Sequence, residues 1–211
     1  MSDASDIELL TRWREGHADA GQELARRYFP ILRAYFISKA PLDYEELVAN
    51  TMLRLVDKRD RFQAMSSFRV FVFGMARMIL LEHFRAQRRD ERFDPMESSA
   101  AELEGGRMSS MLARREEHRV LLESLRLLEL RDQELLEHYY WQQLSAREIA
   151  EISGRPEGTI RTRIRAALER LARRYAEVAA QAHEREYTPR QLEEWLEDVR
   201  GSLDEVTTQP R

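Results

Sequence analysis

The run LSAREIAEISGRPEGTIRTR, residues 144–163, decides the reading of this chain. Ser145 with Glu148 three residues on forms a capping box, so the spacing predicts a short helix starting at Ala146. Ile149, Ala150 and Ile152 give that helix a small apolar face. Gly154 suits the left-handed turn that ends it. Pro156 suits the first turn of a second helix, where its missing N–H has no partner to lose. Two helices joined by so short a turn read as a helix-turn-helix. In the second helix Ile160, Ile164, Ala167, Leu168 and Leu171 recur at helical spacing and are expected to face the core. The other face carries Glu157, Arg161 and Arg165, with Arg155, Gly158, Thr159 and Thr162 beside them. Arginine grips a guanine edge bidentately, glutamate accepts from cytosine, and a threonine methyl packs on thymine. From Gly154 to Arg174 there are seven arginines and two glutamates, a formal +5 that suits contact with phosphates. The bland alternative is a solvated arginine-rich helix packing a protein partner. Caps, turn and charge together favour DNA binding, with Arg155, Glu157, Gly158, Thr159, Arg161, Thr162 and Arg165 as candidate contacts.

The rest of the chain narrows the class. It has 211 residues, room for one domain or two small ones, and 43% hydrophobic residues, enough for ordinary cores. Eight glycines and six prolines among abundant leucine, glutamate and arginine point to an all-α protein. The absence of cysteine excludes disulfides, thiolate metal sites and a cysteine nucleophile. No apolar run reaches membrane-spanning length and the acidic N-terminus lacks a signal-peptide pattern, so a cytoplasmic location is expected. The five histidines are dispersed, and no carboxylate cluster has metal-ligand spacing. No phosphate-cradling glycine loop is present either. No catalytic residue, metal, cofactor or small-molecule substrate is therefore expected. The net charge of −4 requires that any positive surface be local.

Two composition breaks divide the sequence. Residues 90–114 hold Pro95, two Ser-Ser pairs and Gly105-Gly106, without sustained apolar periodicity, and read as a linker. Near Ala176 arginine gives way to acid, and residues 176–211 carry nine acidic residues and four arginines. The expected layout is a helical domain over 1–89, a flexible linker over 90–114, a helix-turn-helix domain over 115–175 and an acidic extension over 176–211. In the first domain Leu24, Tyr28, Ile31, Leu32 and Tyr35 form one helical stripe. Asp43 with Glu46 predicts a capping box before a second helix. Ser66-Ser67 predicts the cap of a third helix, apolar nearly all round and hence mostly buried, with Arg77, Arg85, Arg88 and Arg89 near one face. Those arginines read either as a second nucleic-acid surface or as a basic end complementing the helix dipole.

With both halves in view the chain resembles a sigma-70 family sigma factor of the small, extracytoplasmic-function (ECF) type, from about Ile7 to Ala176. DYEELVANTMLRL (43–55) is similar to the family's D-x-E-D-L-V-Q-E-T-F-L-R, and SSFRVFVFGMAR (66–77) to its S-x-F-R-x-W-L-x-x-I-A-R. Residues 144–168 are similar to its second conserved domain. The resemblance implies two small helical domains, sigma region 2 and sigma region 4. It implies a docking surface for the β′ clamp helices of core RNA polymerase on the helix from Asp43, with Asp43, Glu46, Leu47, Asn50 and Arg54 as candidates. It implies contact with the −10 promoter element by the loop Arg61–Ser67 and the helix after it, with a base flipped out of the stack and held there. The candidates are Arg61, Phe62, Met65, Ser66, Ser67 and Arg69, with Arg77 and Arg85 on backbone phosphates. The helix from Pro156 is implied to lie in the major groove of the −35 element. The linker's acidic residues 90, 91, 94, 97, 102 and 104 are implied to mimic nucleic acid inside the polymerase. Met78 and Ala166 depart from the residues common in the family, which bears on the promoter sequence rather than the class.

The extension lies beyond the end of a minimal family member. Thr188 as N-cap, Pro189, and Leu192, Leu196 and Val199 on one face beside Trp195 predict a short amphipathic helix. Three roles are open to it: regulation in cis by covering the DNA-reading face or the gap between domains, docking of a separate regulator such as an anti-sigma factor, or completion of the C-terminal core. The alternative function for the whole chain is a helix-turn-helix repressor or activator independent of polymerase. Such proteins usually bind as dimers, and residues 188–199 are too short for a convincing zipper.

Overall fold

The computed structural model describes residues 4–63, 66–88, 93–103, 116–182, 190–194 and 196–197. Among them the regular structure is helical throughout, with one isolated bridge between Ser99 and Glu129. No helix among the described residues is long and apolar enough to cross a membrane, and no group of three potential metal ligands occurs among them.

The N-terminal domain is built from α1 (Asp6–Arg14), α2 (Ala18–Ile37), α3 (Tyr44–Lys58) and α4 (Phe68–Ala86). Ser5 and Glu8 close a capping box on α1. Gly21 lets the Trp13 indole lie directly on α2, since a Cβ there would meet the ring at 2.5 Å. Leu24, Tyr28, Leu32 and Tyr35 of the α2 stripe are buried, as the periodicity requires, with Ile31 half-buried. Ser67 caps α4 by accepting from the Val70 N–H. Phe68, Val72, Phe73, Met75, Ala76, Ile79, Leu80 and Phe84 are all buried, so α4 forms the centre of the domain. The expected capping box on α3 does not form. Asp43 occupies the N-cap but bonds no helix N–H; its carboxylate faces the His83 ring at 3.5 Å instead.

The C-terminal domain comprises α6 (Glu116–Arg126), α7 (Leu130–Leu136), a π-helical turn over Glu137–Trp141, α8 (Ala146–Ser153) and α9 (Glu157–Ala182). Gln143, at φ 51°, turns the chain towards α8. Asp132 on α7 accepts from Arg170 on α9 at 2.7 Å. Helix α9 continues through the composition break at Ala176 and still buries Tyr175 and Ala179. Residues 190–194 and 196–197 are helical. Leu192 and Leu196 are fully buried in the core, and Tyr140 donates to Glu193 at 2.8 Å.

Part of the expected linker is structured. Asp94 caps a 3₁₀ turn at Pro95–Glu97, and Ser99 with Glu102 forms a reciprocal cap on the one-turn α5 (Ala100–Leu103). Leu130 donates its N–H to the Ser98 carbonyl at 2.8 Å, tying this strap to α7. Asp94, Glu97 and Glu102 thus have local roles, Glu97 lying 3.7 Å from Arg131. Residues 90, 91 and 104 lie outside the described residues.

The two domains close on one another through a largely buried polar interface. Lys39 at the end of α2 is fully buried and donates to Glu137, to the Tyr35 carbonyl at 2.9 Å and to the Ser38 hydroxyl at 3.1 Å. Gln133 donates to Glu137 at 2.8 Å, and Arg126 donates to the Ser38 carbonyl at 2.8 Å. Tyr35 donates its hydroxyl to Glu134. Beside this network the His138 ring stacks on Tyr35, with centroids 5.7 Å apart, and meets Phe73 edge-on at 5.0 Å. Neither of its ring nitrogens hydrogen-bonds a described residue.

Burial, with Lys39, Arg77 and Arg69 nearby, pushes the His138 pKa down to about 3. The folded chain therefore binds fewer protons at this ring than the unfolded chain, whose imidazole titrates near 6.5. Its contribution to stability is complete above pH 6.5 and is lost as the pH falls towards 3. The expected loss is about 1.4 kcal/mol per pH unit within that window. Burial acts oppositely on Glu137, raising its carboxyl against the pull of Lys39, so the difference between wild type and His138→Phe isolates the imidazole. Urea denaturation at a series of pH values is expected to show the steeper acid loss only in the wild type.

Candidate nucleic-acid interface

The helix-turn-helix forms as its sequence requires. Ser145 and Glu148 make both capping-box bonds, and Gly154 ends α8 at φ 65° in the left-handed region. Burial alone would raise the Glu148 carboxyl; the Ser145 N–H and hydroxyl, the Ser67 hydroxyl and Arg69 together hold it below the ordinary carboxylate range. The Pro156 carbonyl accepts from Ile160, opening α9. Ile160, Ala167, Leu168 and Leu171 are buried, and Ile164 is half-buried. Arg155, Gly158, Arg161, Thr162 and Arg165 are exposed, with Glu157 and Thr159 at the edge. The Arg161 Nε donates to Glu157 at 3.1 Å one turn back, which holds the two charged tips in register along an open ridge. Buried Leu192 and Leu196 seat the described part of the extension on the core beside Tyr140, and this ridge remains exposed.

The residues expected at the −10 element differ in their surroundings. Phe62 is turned inward, packing on Phe68 and Phe71 at centroid distances of 5.6 and 5.3 Å, and is 6% exposed. It therefore supports the loop rather than offering a ring to a base. Arg14 fixes that turn by donating to the Phe62 carbonyl at 2.8 Å. Arg61 and Arg85 are exposed, and Met65 lies outside the described residues. Ser66 is half-buried. Ser67, Arg69 and Arg77 face the other domain: Ser67 donates to Glu148 at 2.9 Å, Arg69 to Gln142 at 3.0 Å and Arg77 to Glu134 at 3.1 Å.

On the side of α4 away from that contact, α3 and α4 border a groove of about 1060 Å³ lined by Glu46, Asn50, Leu53, Arg54, Met78 and Glu82, among others. Glu46 and Asn50 are exposed. Arg54 is paired with Glu82 at 2.7 Å, which holds that carboxyl below its ordinary range. Leu47 is 2% exposed, so it packs the core and has no surface to offer a partner. Leu53 and Met78 were not expected here, and at 68% and 55% exposed they are the apolar elements of the groove. The signal for Leu53 was its position off the Leu47–Thr51–Leu55 stripe, an apolar side chain on a polar face.

Residues 22–90 match the family model of sigma-70 region 2, and residues 118–171 match that of sigma-70, region 4. The chain belongs to the sigma-70 family, as a factor of ECF type, and is a transcription initiation factor rather than an enzyme. Nine chains of solved structures match it significantly. One is the sigma factor RpoE, in a co-crystal structure with the anti-sigma factor NepR from Bartonella quintana. The match has a TM-score of 0.57 and 23% identity, covering 72% of this chain and 94% of that one, and at this identity it speaks for the fold. No curated protein sequence matches the chain significantly.

The turn at Gly154 has open space around it, so a substitution there acts on backbone conformation alone. Gly154→Ala is expected to cost about 1–2 kcal/mol. Gly154→Asn is expected to cost less, because a short polar side chain tolerates the left-handed region. Thermal unfolding of the two variants beside wild type checks the order.

Proposed function

We propose that this chain directs core RNA polymerase to promoters through three surfaces. The α3–α4 groove docks on the β′ clamp helices, through Glu46, Asn50, Arg54, Leu53 and Met78. Helix α4, with Arg69, Arg77 and Arg85, and the segment before it, with Arg61, Ser66 and Ser67, engage the −10 element as the strands separate. The exposed ridge of α9, with Arg155, Glu157, Gly158, Thr159, Arg161, Thr162 and Arg165, reads the −35 element in the major groove. The observation that carries this reading is the capped helix-turn-helix with its open arginine ridge, joined in one chain to a region 2 domain. An anti-sigma factor is the natural regulator, as the related RpoE was crystallised with one.

For the extension, the fully buried Leu192 and Leu196 support completion of the region 4 core. Regulation in cis by covering the DNA-reading ridge has no support from the described residues. Leu192→Ala and Leu196→Ala are each expected to lower the stability of region 4 by about 2–5 kcal/mol, read as an earlier urea transition.

The test of function is run-off transcription with bacterial core polymerase on pooled genomic fragments, sequencing the 5′ ends to obtain the promoter. Transcripts that depend on the protein are expected. Silence, with no binding to core, would overturn the proposal in favour of a polymerase-independent helix-turn-helix regulator. On the promoter so found, Arg161→Ala and Arg165→Ala are each expected to cost about 1–3 kcal/mol of discrimination at one base pair. Competition binding with substituted −35 duplexes measures it.

A further inference from the structure

The last residue of α1 bonds a turn 45 positions further along the chain. Arg14 donates from Nε to the Arg59 carbonyl at 3.1 Å and from Nη2 to the Phe62 carbonyl at 2.8 Å, and Nη2 also donates to the Arg59 carbonyl. These carbonyls belong to the 3₁₀ turn Arg59–Arg61 and its C-cap, Phe62, where the helical run begun by α3 ends. A helix end leaves carbonyls without intrahelical donors, and a cation there also meets the negative end of the dipole. One planar guanidinium thus holds both carbonyls at an angle dictated by its fork, which a lysine ammonium could not do.

The platform behind Arg14 is itself anchored. Asp6, at the start of α1, accepts from Arg27 at 3.1 Å and from the Tyr28 hydroxyl, both on α2. Near the end of α1 the Trp13 indole lies against Gly21, and its face carries the Arg59 guanidinium at 5.0 Å. Asp60 lies 3.7 Å from Arg14 and 3.8 Å from Arg59. From the other side the Phe62 ring packs on Phe68 and Phe71 of α4. The turn is therefore fastened to α1 by its carbonyls and to α4 by its ring. Arg61, between the two fastenings, is exposed.

We infer that Arg14 is a positioning residue for the reading of the −10 element: through the carbonyls of Arg59 and Phe62 it sets where the Arg61 side chain meets the separated strand beside the start of α4. This inference rests on the assignment of Arg61 and α4 to that element. Arg14 itself touches no DNA. A turn ordered in advance presents the Arg61 cation to a phosphate or base edge at no further cost in backbone entropy. Without the fork, the same contact requires the turn to be fixed at the moment of binding, so affinity for the strand falls. The loss is confined to the −10 strand. The α9 ridge belongs to the other domain, and none of the residues proposed to dock on polymerase is bonded to Arg14.

The test uses holoenzyme assembled from core polymerase and the full chain. The probes are two pieces of a promoter mapped by run-off transcription: the −10 segment of the non-template strand alone, and the −35 duplex. Arg14→Lys keeps the charge at the helix end and removes the fork; Arg61→Ala removes the side chain that the fork places. Arg14→Lys is expected to bind the single strand between about 2- and 150-fold more weakly, the range for groups coupled through a backbone shift. Its binding to core polymerase and to duplex is expected to equal that of wild type. In the Arg61→Ala background the same substitution is expected to cost less, because the group it places is gone. Strand affinity unchanged by Arg14→Lys overturns the inference, since charge alone then suffices at this position. Equal losses in the two backgrounds overturn it too, because Arg14 then does not act through the turn. A parallel loss of duplex binding, or of the helical circular dichroism, overturns it by marking a merely structural role. Arg61→Ala that by itself leaves strand affinity unchanged would instead overturn the placing of this turn at the −10 element, so the two failures are separable.

Discussion

The buried pair of Lys39 and Glu137 is the constraint on which the arrangement of the molecule depends. Removing an ammonium and a carboxylate from water costs several kcal/mol per ion, and their attraction offsets this only when each ion's remaining valences are met. Here the Tyr35 carbonyl and the Ser38 hydroxyl take the lysine's other protons, and Gln133 supplies a donor to the glutamate. The pair itself spans the domains, Lys39 just after α2 and Glu137 just after α7, and Arg126 and Gln133 both donate to the Ser38 carbonyl across the same contact. An apolar contact of the same area tolerates sliding; this one does not. Arg126 on the Ser38 carbonyl and Glu134 on Tyr35 extend the same register outward.

Helix α4 is the element that both domains use. Most of its circumference is apolar, which fixes it at the centre of region 2. Its positions outside the core are few and divided. Arg69 and Arg77 lie towards region 4, while Met78 and Glu82 border the groove with α3. A helix so placed has the same buried rings behind both of its faces. The π-helical turn at Glu137–Trp141 contributes on the opposing domain by setting Glu137 and His138 into the interface and presenting Gln142 beyond it. Such turns often occur at functional positions of helices.

Features set by neighbouring residues were legible in the sequence. The box of Ser145 and Glu148, the left-handed Gly154, the Ser67 cap and the stripes of α2, α4 and α9 all form as spacing dictates. Three readings failed where a distant partner competed. Asp43 has the sequence of a cap residue but lies near His83, forty residues away, in place of a local N–H. Phe62 sits in a polar loop and reads as a free ring, yet Phe68 and Phe71 complete an aromatic cluster around it. Leu47 belongs to a motif that resembles a docking surface, but its own side chain points to the core. The strap over residues 93–103 was hidden for a related reason, since its order comes from contact with α7 rather than from its own periodicity.

By itself the sequence determined the all-α class, the helix-turn-helix with its arginine ridge, and the two-domain plan, because caps, turns and amphipathic periods act over a few residues. It also carried the family resemblance, in three motifs in order. Only the tertiary structure decided which charged groups are free and which are occupied. Arg69 and Arg77 read as DNA contacts along the chain, and nothing near Lys39, Glu134 or Glu137 in the sequence marks them for burial. Their partners across the domain contact are 57 to 99 positions away. A charge whose partner lies in another domain gives no local signal, because its environment is created only when the two domains meet.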